Sequence, residues 1–369
     1  MTHGVVCIHC TPLTPVWTGD VNRQGGKLRE TGLVGSLRWW YEAVLRSVGV
    51  YACDPSTGSC VYDESKKSKG ICLACQLFGC NGYSRRFRFE IDGHGASGQL
   101  REVKLKNPGT ANHRGWRIPQ ELTKPFRLKI VPLFAEGFDI DGIGLALRLI
   151  ERFGALGAKT SQGQGIVQFG GIPAADFAKW KDALTRGPHQ QSDQHPNSPS
   201  LDNIVGVNVK LEVAPSGKDW WKKIPLYMED FPLSDNSTWI PSAPAVRAML
   251  RSELRNGASA DDNDRHRLMG TIGRWGDQRP EVKDGKKKDR TKASDVFVSH
   301  LYMERQRWRM RIFAFVAKNG NGADQRLRKL LAGGEGSELK GKLAVALGLT
   351  KESIAAVEPY PSKVEEFFS

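Results

Sequence analysis

Over residues 33–48 apolar side chains return every three or four positions. Leu33, Leu37, Trp40, Tyr41, Val44 and Val48 line one side of a helix, with Arg38, Glu42 and Arg46 on the other. Thr31 stands where an N-cap would. Trp39 lies off the apolar stripe, so it either packs on a neighbouring element or is exposed. Ile140, Ile143, Leu147 and Ile150 repeat the helical period and predict a second helix over 141–152. Between these helices the period changes to two. Phenylalanines and arginines alternate over 86–91, Lys104 and Lys106 share a face over 99–106, and Phe126, Leu128 and Ile130 alternate with Arg127 and Lys129. Val5, Val6 and Ile8 predict an opening strand, and 166–169 a short strand after the second helix.

This α+β unit closes near Leu184, giving a first domain over 1–184 with a Cys-rich insertion at about 50–82. Residues 185–203 form a polar linker, and 187–200 carry no apolar side chain apart from prolines, so they read as flexible chain. A second domain follows over 204–369. It has strands at 204–213, 296–302 and 308–317, and helices at 244–255, 324–331 and 339–347. Six basic residues over 283–292 read as a solvated loop. The order of elements suggests a duplicated unit.

Charge narrows the class of partner. The 369 residues hold 54 Lys and Arg against 40 Asp and Glu, a net charge of +14, and such an excess favours a polyanion through counterion release. No apolar run approaches the roughly 18 residues of a membrane span. Residues 1–7 lack the charged start and apolar middle of a signal peptide. The expectation is a cytoplasmic protein without membrane contact, whose seven cysteines are reduced thiols or metal ligands.

The richest candidate chemistry lies in 153–166, F-G-A-L-G-A-K-T-S-Q-G-Q-G-I. Glycines let a backbone approach closely, successive amides can cradle an anion, and Lys159, Thr160 and Ser161 add a charge and two hydroxyls. Ala158 before Lys159 and Phe153 at the first glycine position rule out a P-loop. Gln168 at the third glycine position rules out a dinucleotide fingerprint. No nucleotide cofactor is expected, which leaves a polymer backbone or a bare surface loop. Upstream, Trp17, Arg23, Lys27 and Arg29 interleave an aromatic with cations, as suits an unpaired nucleic-acid strand. Asp20 could be taken for a catalytic acid, but its position after Gly19 fits a turn cap. Gly32 and Gly35 at the start of the first helix offer a second anion position.

Cys53, Cys60, Cys72 and Cys75 are spaced C-x6-C-x11-C-x2-C, with Cys80 close behind and able to replace one of them. The 72–75 knuckle fits two thiolates on one tetrahedral zinc, and four would close the site, making the zinc structural. Cys7 and Cys10 lie three apart on a strand and point to opposite faces, so that pair is structural.

These residues carry a resemblance. Thr11-Pro-Leu, Thr18-Gly19 and Gly32-Leu-Val-Gly-Ser-Leu-Arg-Trp-Trp40 resemble the N-terminal half of the first-subunit family of the Cmr complex, the type III-B CRISPR effector, several of whose subunits belong to the RAMP superfamily. Cys72-x-x-Cys75 with Leu77-Phe-Gly79, then Arg86-Phe-Arg-Phe89, look like its next block. The 154–165 run looks like the RAMP glycine-rich loop. Leu268-Met-Gly-Thr-Ile-Gly273 and Ser294-Asp-Val-Phe-Val-Ser-His300 are similar to its C-terminal blocks.

The resemblance implies two ferredoxin-like (RRM-like) domains side by side. It also implies a non-catalytic antiviral ribonucleoprotein subunit that caps the complex near the 3′ end of the guide RNA, helps capture target RNA, and contacts other RAMP subunits. The candidate RNA contacts are Trp17, Arg23, Lys27, Arg29, Arg38, Trp39, Arg86, Arg88, Gly154, Gly157, Lys159, Thr160, Ser161, Gln164 and Arg274. Two rivals remain. A metal-independent RAMP-type endoribonuclease acting on guide or target RNA needs a general base, for which His3, His9, His94 and His113 are available. A pure scaffold would use its basic loops on acidic protein partners.

Overall fold

The computed structural model describes residues 4–19, 27–54, 60–66, 70–93, 101–106, 113–118, 122–186, 198–212, 223–225, 237–255, 265, 268–270, 282–283, 286–287, 293–317, 319–320, 322–334 and 336–369. Arg23 and Arg274, with Asp20, His3 and His94, lie outside the described residues.

Two antiparallel sheets organise the chain, each with helices on one face. The first contains β1 (Val6–Pro12), β2 (Phe87–Asp92), β5 (Phe126–Pro132) and β6 (Val167–Gly170), in the order β2-β5-β1-β6. Its register sets Ile8 opposite Leu128, Cys10 opposite Phe126, and Phe89 opposite Ile130. Phe87, Phe89, Phe126, Leu128 and Ile130 are buried, while Arg88, Arg127, Cys7 and His9 are exposed. That alternation marks a sheet with one covered face. The covering helices are α1 (Glu30–Ser47) and α3 (Ile140–Arg152), packed against each other. Helix α2 (Leu73–Phe78) begins inside the cysteine knuckle, with Cys72 at its N-cap and Cys75 in its first turn. β3 (Arg101–Lys106) and β4 (His113–Ile118) pair as a separate hairpin, and α4 (Phe177–Thr185) closes this half.

The second sheet has the order β14-β7-β13-β12-β8, with β11 also paired to β13. Its strands are β7 (Ile204–Leu211), β8 (Trp239–Ile240), β11 (Val296–Val298), β12 (Leu301–Glu304), β13 (Arg307–Phe315) and β14 (Ile354–Pro359). Its core takes in buried residues of α5 (Ala243–Glu253), α6 (Ala323–Leu330) and α7 (Glu338–Ala346). Arg305 and Gln306, at φ 49° and 64°, make the two-residue turn joining β12 to β13, the geometry that matches strand twist.

Several details differ from the sequence reading. Helix α1 begins at Glu30 and not after Thr31, because Arg29 holds the N-cap position and its amide donates to Thr18 Oγ1 at 2.7 Å. Its polar side is not solvated: Glu42 and Arg46 are buried. The run over 283–292 is not wholly loop, since β9 (Val282–Lys283) pairs with β10 (Lys286–Lys287). The C-terminal end of the linker is not free chain either. Pro199 O accepts from Arg46, and Ser200 and Asn203 form a reciprocal cap over a short 3-10 turn, Leu201–Asn203.

The two halves share a seam. Met310, Ile312 and Ala314 point into the second core, whereas Phe313 and Phe315 pack into the first. Arg311, on the same strand face as those phenylalanines, is 4% exposed. Its guanidinium donates to Gly154 O at 3.0 Å, to Ile150 O at 3.3 Å and to Glu151 O, all at the C-terminal end of α3, where a cation meets the helix dipole and its orphan carbonyls. Tyr360 adds a bond from its hydroxyl to Phe153 O at 2.7 Å. The predicted strand over 296–302 divides into β11 and β12 because the glycine loop docks at the break. Gly163 bridges Ser299, and His300 N donates to Gly163 O at 3.0 Å.

Two predictions follow from this seam. Replacing Arg311 with Met strands buried carbonyls, each costing about 1–3 kcal/mol; equilibrium urea unfolding should show the midpoint falling with Arg311→Met and less with Arg311→Lys. His300 is fully buried, and burial pushes its imidazole down to about 3. Below the ordinary value near 6.5 the unfolded chain takes up a proton that the folded chain refuses, so stability falls as pH drops from about 6.5 towards 3, by about 1.4 kcal/mol per pH unit. His300→Gln should flatten that slope relative to the unsubstituted chain; parallel acid limbs for the two proteins would remove His300 as the cause.

Candidate nucleic-acid interface and metal centre

The glycine loop leaves α3 at Phe153 and is fastened before any ligand arrives. Leu156 N donates to Gly165 O (2.7 Å), Ala158 N to Trp17 O (2.8 Å), Gly157 N to Ser36 Oγ (3.1 Å), and Gly165 N to Pro15 O (2.9 Å). Those amides are therefore not available to cradle an anion, which corrects the expectation of a backbone nest along the whole loop. Gly157 has φ +90°, and a Cβ there would lie 2.6 Å from Trp17 O; at Gly163, with φ +111°, it would lie 2.3 Å from the His300 ring. Both positions need glycine. Gly154 is buried beneath the Trp40 ring.

A short side-chain run remains for a ligand. Lys159 adopts the left-handed conformation at φ 56°, which an ordinary side chain enters at a cost. The turn places its Nζ 4.1 Å from the centroid of the Trp17 ring, a cation–π contact. Partial burial lowers the ammonium's pKa. Thr160 and Ser161 follow in a single 3-10 turn, Thr160–Gln162, half-buried, and their hydroxyls have no hydrogen-bond partner among the described residues. Arg247 of α5 fixes the far side, donating to Ser161 O at 2.8 Å, Val296 O at 3.0 Å and Met269 O at 3.1 Å. Burial lowers its pKa to about 10, with Arg251 adding to the effect.

A cavity of 610 Å³ opens between this run, the N-terminal half of α1 and the second sheet. Gly157, Lys159, Thr160 and Ser161 line one side, Gly35, Ser36, Trp39 and Trp40 another, and Phe297, Phe313 and Phe315 the third. Trp39 packs edge-on to Phe315 at 4.9 Å and to Trp40 at 5.1 Å, so it joins the two halves and reaches the cavity.

The other candidate contacts sit elsewhere. Lys27 and Arg29 are exposed just before α1. Gln164 is 2% exposed, behind the loop, with its Oε1 unpaired among the described residues. Arg88 is exposed and ion-paired with Glu90 at 2.7 Å. Arg86 lies between the rings of Tyr83 (4.3 Å) and Phe134 (4.9 Å). Sequence reasoning missed Arg247, Arg311 and His300. The one signal was β13, where 312–315 are apolar on both faces and so require cover on both.

The second cluster is the cysteines. The sulfurs of Cys53, Cys60, Cys72 and Cys75 all lie within 4.8 Å of one another, against about 3.8 Å expected for thiolates on a tetrahedral ion with 2.3 Å bonds. Cys53 and Cys75 are 3.4 Å apart. These four can bind a metal, and the donor set suits a soft ion. Cys80 stands outside the set, with its Sγ 3.8 Å from Asn81 O, and Cys7 and Cys10 sit on opposite faces of β1. Hydrogen bonds from Cys53 and Cys75 hold Cys72 in the thiolate range, while the cluster pushes those two thiols up.

Arg38 belongs to this cluster and not to a solvent face. It donates to Cys75 Sγ at 3.2 Å, Gly79 O at 2.8 Å and Glu42 Oε1 at 2.7 Å. Burial opposes its charge, but the bonds to Glu42 and Cys75 more than offset that. Glu42 also accepts from Arg46 (3.3 Å), which reaches Ala52 O and Cys53 O. Burial raises the Glu42 carboxyl and the two guanidiniums pull it back; with a cation on each side it serves as acceptor for both.

The RAMP superfamily model matches residues 9–168, from within β1 to within β6. No curated protein matches the chain. Among solved structures, Cmr1 from Pyrococcus furiosus in its apo form is similar at 13% identity and a TM-score of 0.40, covering 87% of this chain and 93% of its own. A chain of the type III-B Cmr-beta complex, bound to cognate target RNA and AMPPnP in the presence of ssDNA, is similar at 11% identity and a TM-score of 0.46, covering 94% and 99%. The stretch that builds the first sheet and the glycine loop is thus the part of the chain that is similar to the RAMP superfamily, over residues 9–168.

Proposed function

We propose that this chain is a non-cleaving, RNA-binding subunit of a type III-B CRISPR effector, of the Cmr1 kind, holding guide or target RNA near the guide's 3′ end beside other RAMP subunits. The observation that carries the reading is the left-handed Lys159, which with Thr160 and Ser161 lines an aromatic-walled cavity between the RAMP-like stretch and the second sheet. A fixed cation with two unspent hydroxyls suits a sugar-phosphate backbone, and the net charge of +14 supports a polyanion. The order of strands supports a pair of ferredoxin-like units. In the first half β1, α1, β2, β5, α3 and β6 follow a βαββαβ path with sheet order 4-1-3-2, and β7, α5, β12, β13, the α6–α7 pair and β14 trace the same order in the second.

We read the chain as binding RNA without cleaving it, as the resemblance implies. His9 is exposed on β1 and His300 is buried and neutral. No helix among the described residues is long and apolar enough to cross a membrane, and we place the subunit in the cytoplasm. Zinc is the metal we assign to the four cysteines, in a closed structural role.

Lys159→Ala should weaken binding about equally for unrelated single-stranded RNAs and reduce the slope of log affinity against log salt by about one. A loss confined to one RNA sequence, at unchanged slope, would count against a phosphate contact. For the metal, elemental analysis of the desalted protein should find about one zinc per chain. Cys72→Ser with Cys75→Ser should remove it and lower the unfolding temperature before RNA preference changes. Full stability without metal would end that assignment.

A further inference from the structure

Resting on the RNA reading, we propose that the interdomain cavity takes one unpaired base of the bound strand and holds it by stacking, without reading its identity. At 610 Å³ the space falls within the about 300–1,000 Å³ of ligand pockets. Its two kinds of wall divide the work. The polar side of Lys159, Thr160 and Ser161 suits phosphate and ribose. The other walls are aromatic, and Trp39 has no ring stacked parallel to it among the described residues, since Trp40 and Phe315 meet it at 84° and 90° and Phe297 at 56°. A planar base entering between loop and sheet therefore finds an indole without a stacked partner.

Polar groups elsewhere in the cavity lining are already engaged. Asn203 Nδ2 donates to Ser198 O at 3.0 Å and its Oδ1 accepts from Ser200 N at 3.0 Å. Ser294 Oγ donates to Val296 O at 2.8 Å and accepts from Val296 N at 3.1 Å. Asp295 has its own partners. Side chains committed to the fold cannot discriminate base edges, whereas stacking tolerates any base because each has a π-face.

The test uses the full chain and single-stranded RNAs of one length, each with a single abasic nucleotide stepped along the strand. One position should lose about 5- to 100-fold in affinity, the worth of one stacked base, while exchanging A, C, G and U there changes affinity by less than about threefold, the effect of stacking strength alone. Trp39→Ala should lower affinity for the intact strand by a similar factor and flatten the abasic scan. Trp39 also bridges the two halves, so 2-aminopurine at the sensitive position provides a second reading: its fluorescence should be quenched by the unsubstituted chain and by Trp39→Phe, and less by Trp39→Ala. A flat scan on a strand that binds normally overturns the base pocket and leaves the RNA reading standing. A loss that depends on which base is present overturns the claim of indifference. Absence of RNA affinity overturns both readings.

Discussion

Arg311 is the constraint on which the candidate site depends. It comes from the second sheet, yet its three hydrogen bonds end on carbonyls of the first half, at Ile150, Glu151 and Gly154. Those carbonyls close α3 and begin the glycine loop. A buried guanidinium has no water to fall back on, so its bonds and the position of the loop stand or fall together. Arg247 does the same at the other end through Ser161 O. The loop is therefore clamped at both ends by arginines of the opposite half, and the two halves are parts of one site.

This arrangement divides the loop's chemistry. Its glycines serve the fold, because Gly157 faces a carbonyl and Gly163 a histidine ring at distances no Cβ tolerates. Much of its backbone hydrogen-bonding capacity is spent on Pro15, Trp17, Ser36 and the loop itself. The side chains of Lys159, Thr160 and Ser161 at the turn are left over for a ligand. A glycine-rich loop read from sequence suggests an anion held by amides; here the amides of Leu156, Gly157, Ala158 and Gly165 hold the protein together, and the lysine with its hydroxyls lines the cavity.

The individual elements were largely legible because each sheet has one covered face, so period-two and period-3.6 patterns survive in the sequence. The alternation of Phe126, Leu128 and Ile130 and the stripe from Leu37 to Val44 translate directly into buried faces. The four-cysteine set was legible too, because knuckle spacing is a local property. The partners of charged residues were not. Arg38, Glu42 and Arg46 have the spacing of a solvated helix face, and nothing local says that a cysteine hairpin and residues 198–203 will cover it. The seam was hidden for the same reason, as Arg311 and His300 acquire their roles only from residues about 140 to 160 positions away.

Helix α1 connects the two clusters. Trp39 turns towards the cavity and the second sheet, while its neighbour Arg38 turns towards the sulfur of Cys75. Adjacent residues on a helix point about 100° apart, so one rigid rod can serve two neighbourhoods. The Arg38–Glu42–Arg46 column ties that rod to the carbonyls of Gly79, Ala52 and Cys53. Four cysteines drawn around an ion would fix those carbonyls in place, and through them the rotation of α1. A few degrees of helix rotation moves an indole edge far more than it moves the helix axis. Helix α1 thus carries both Arg38, bonded to the cysteine cluster, and Trp39, which lines the cavity.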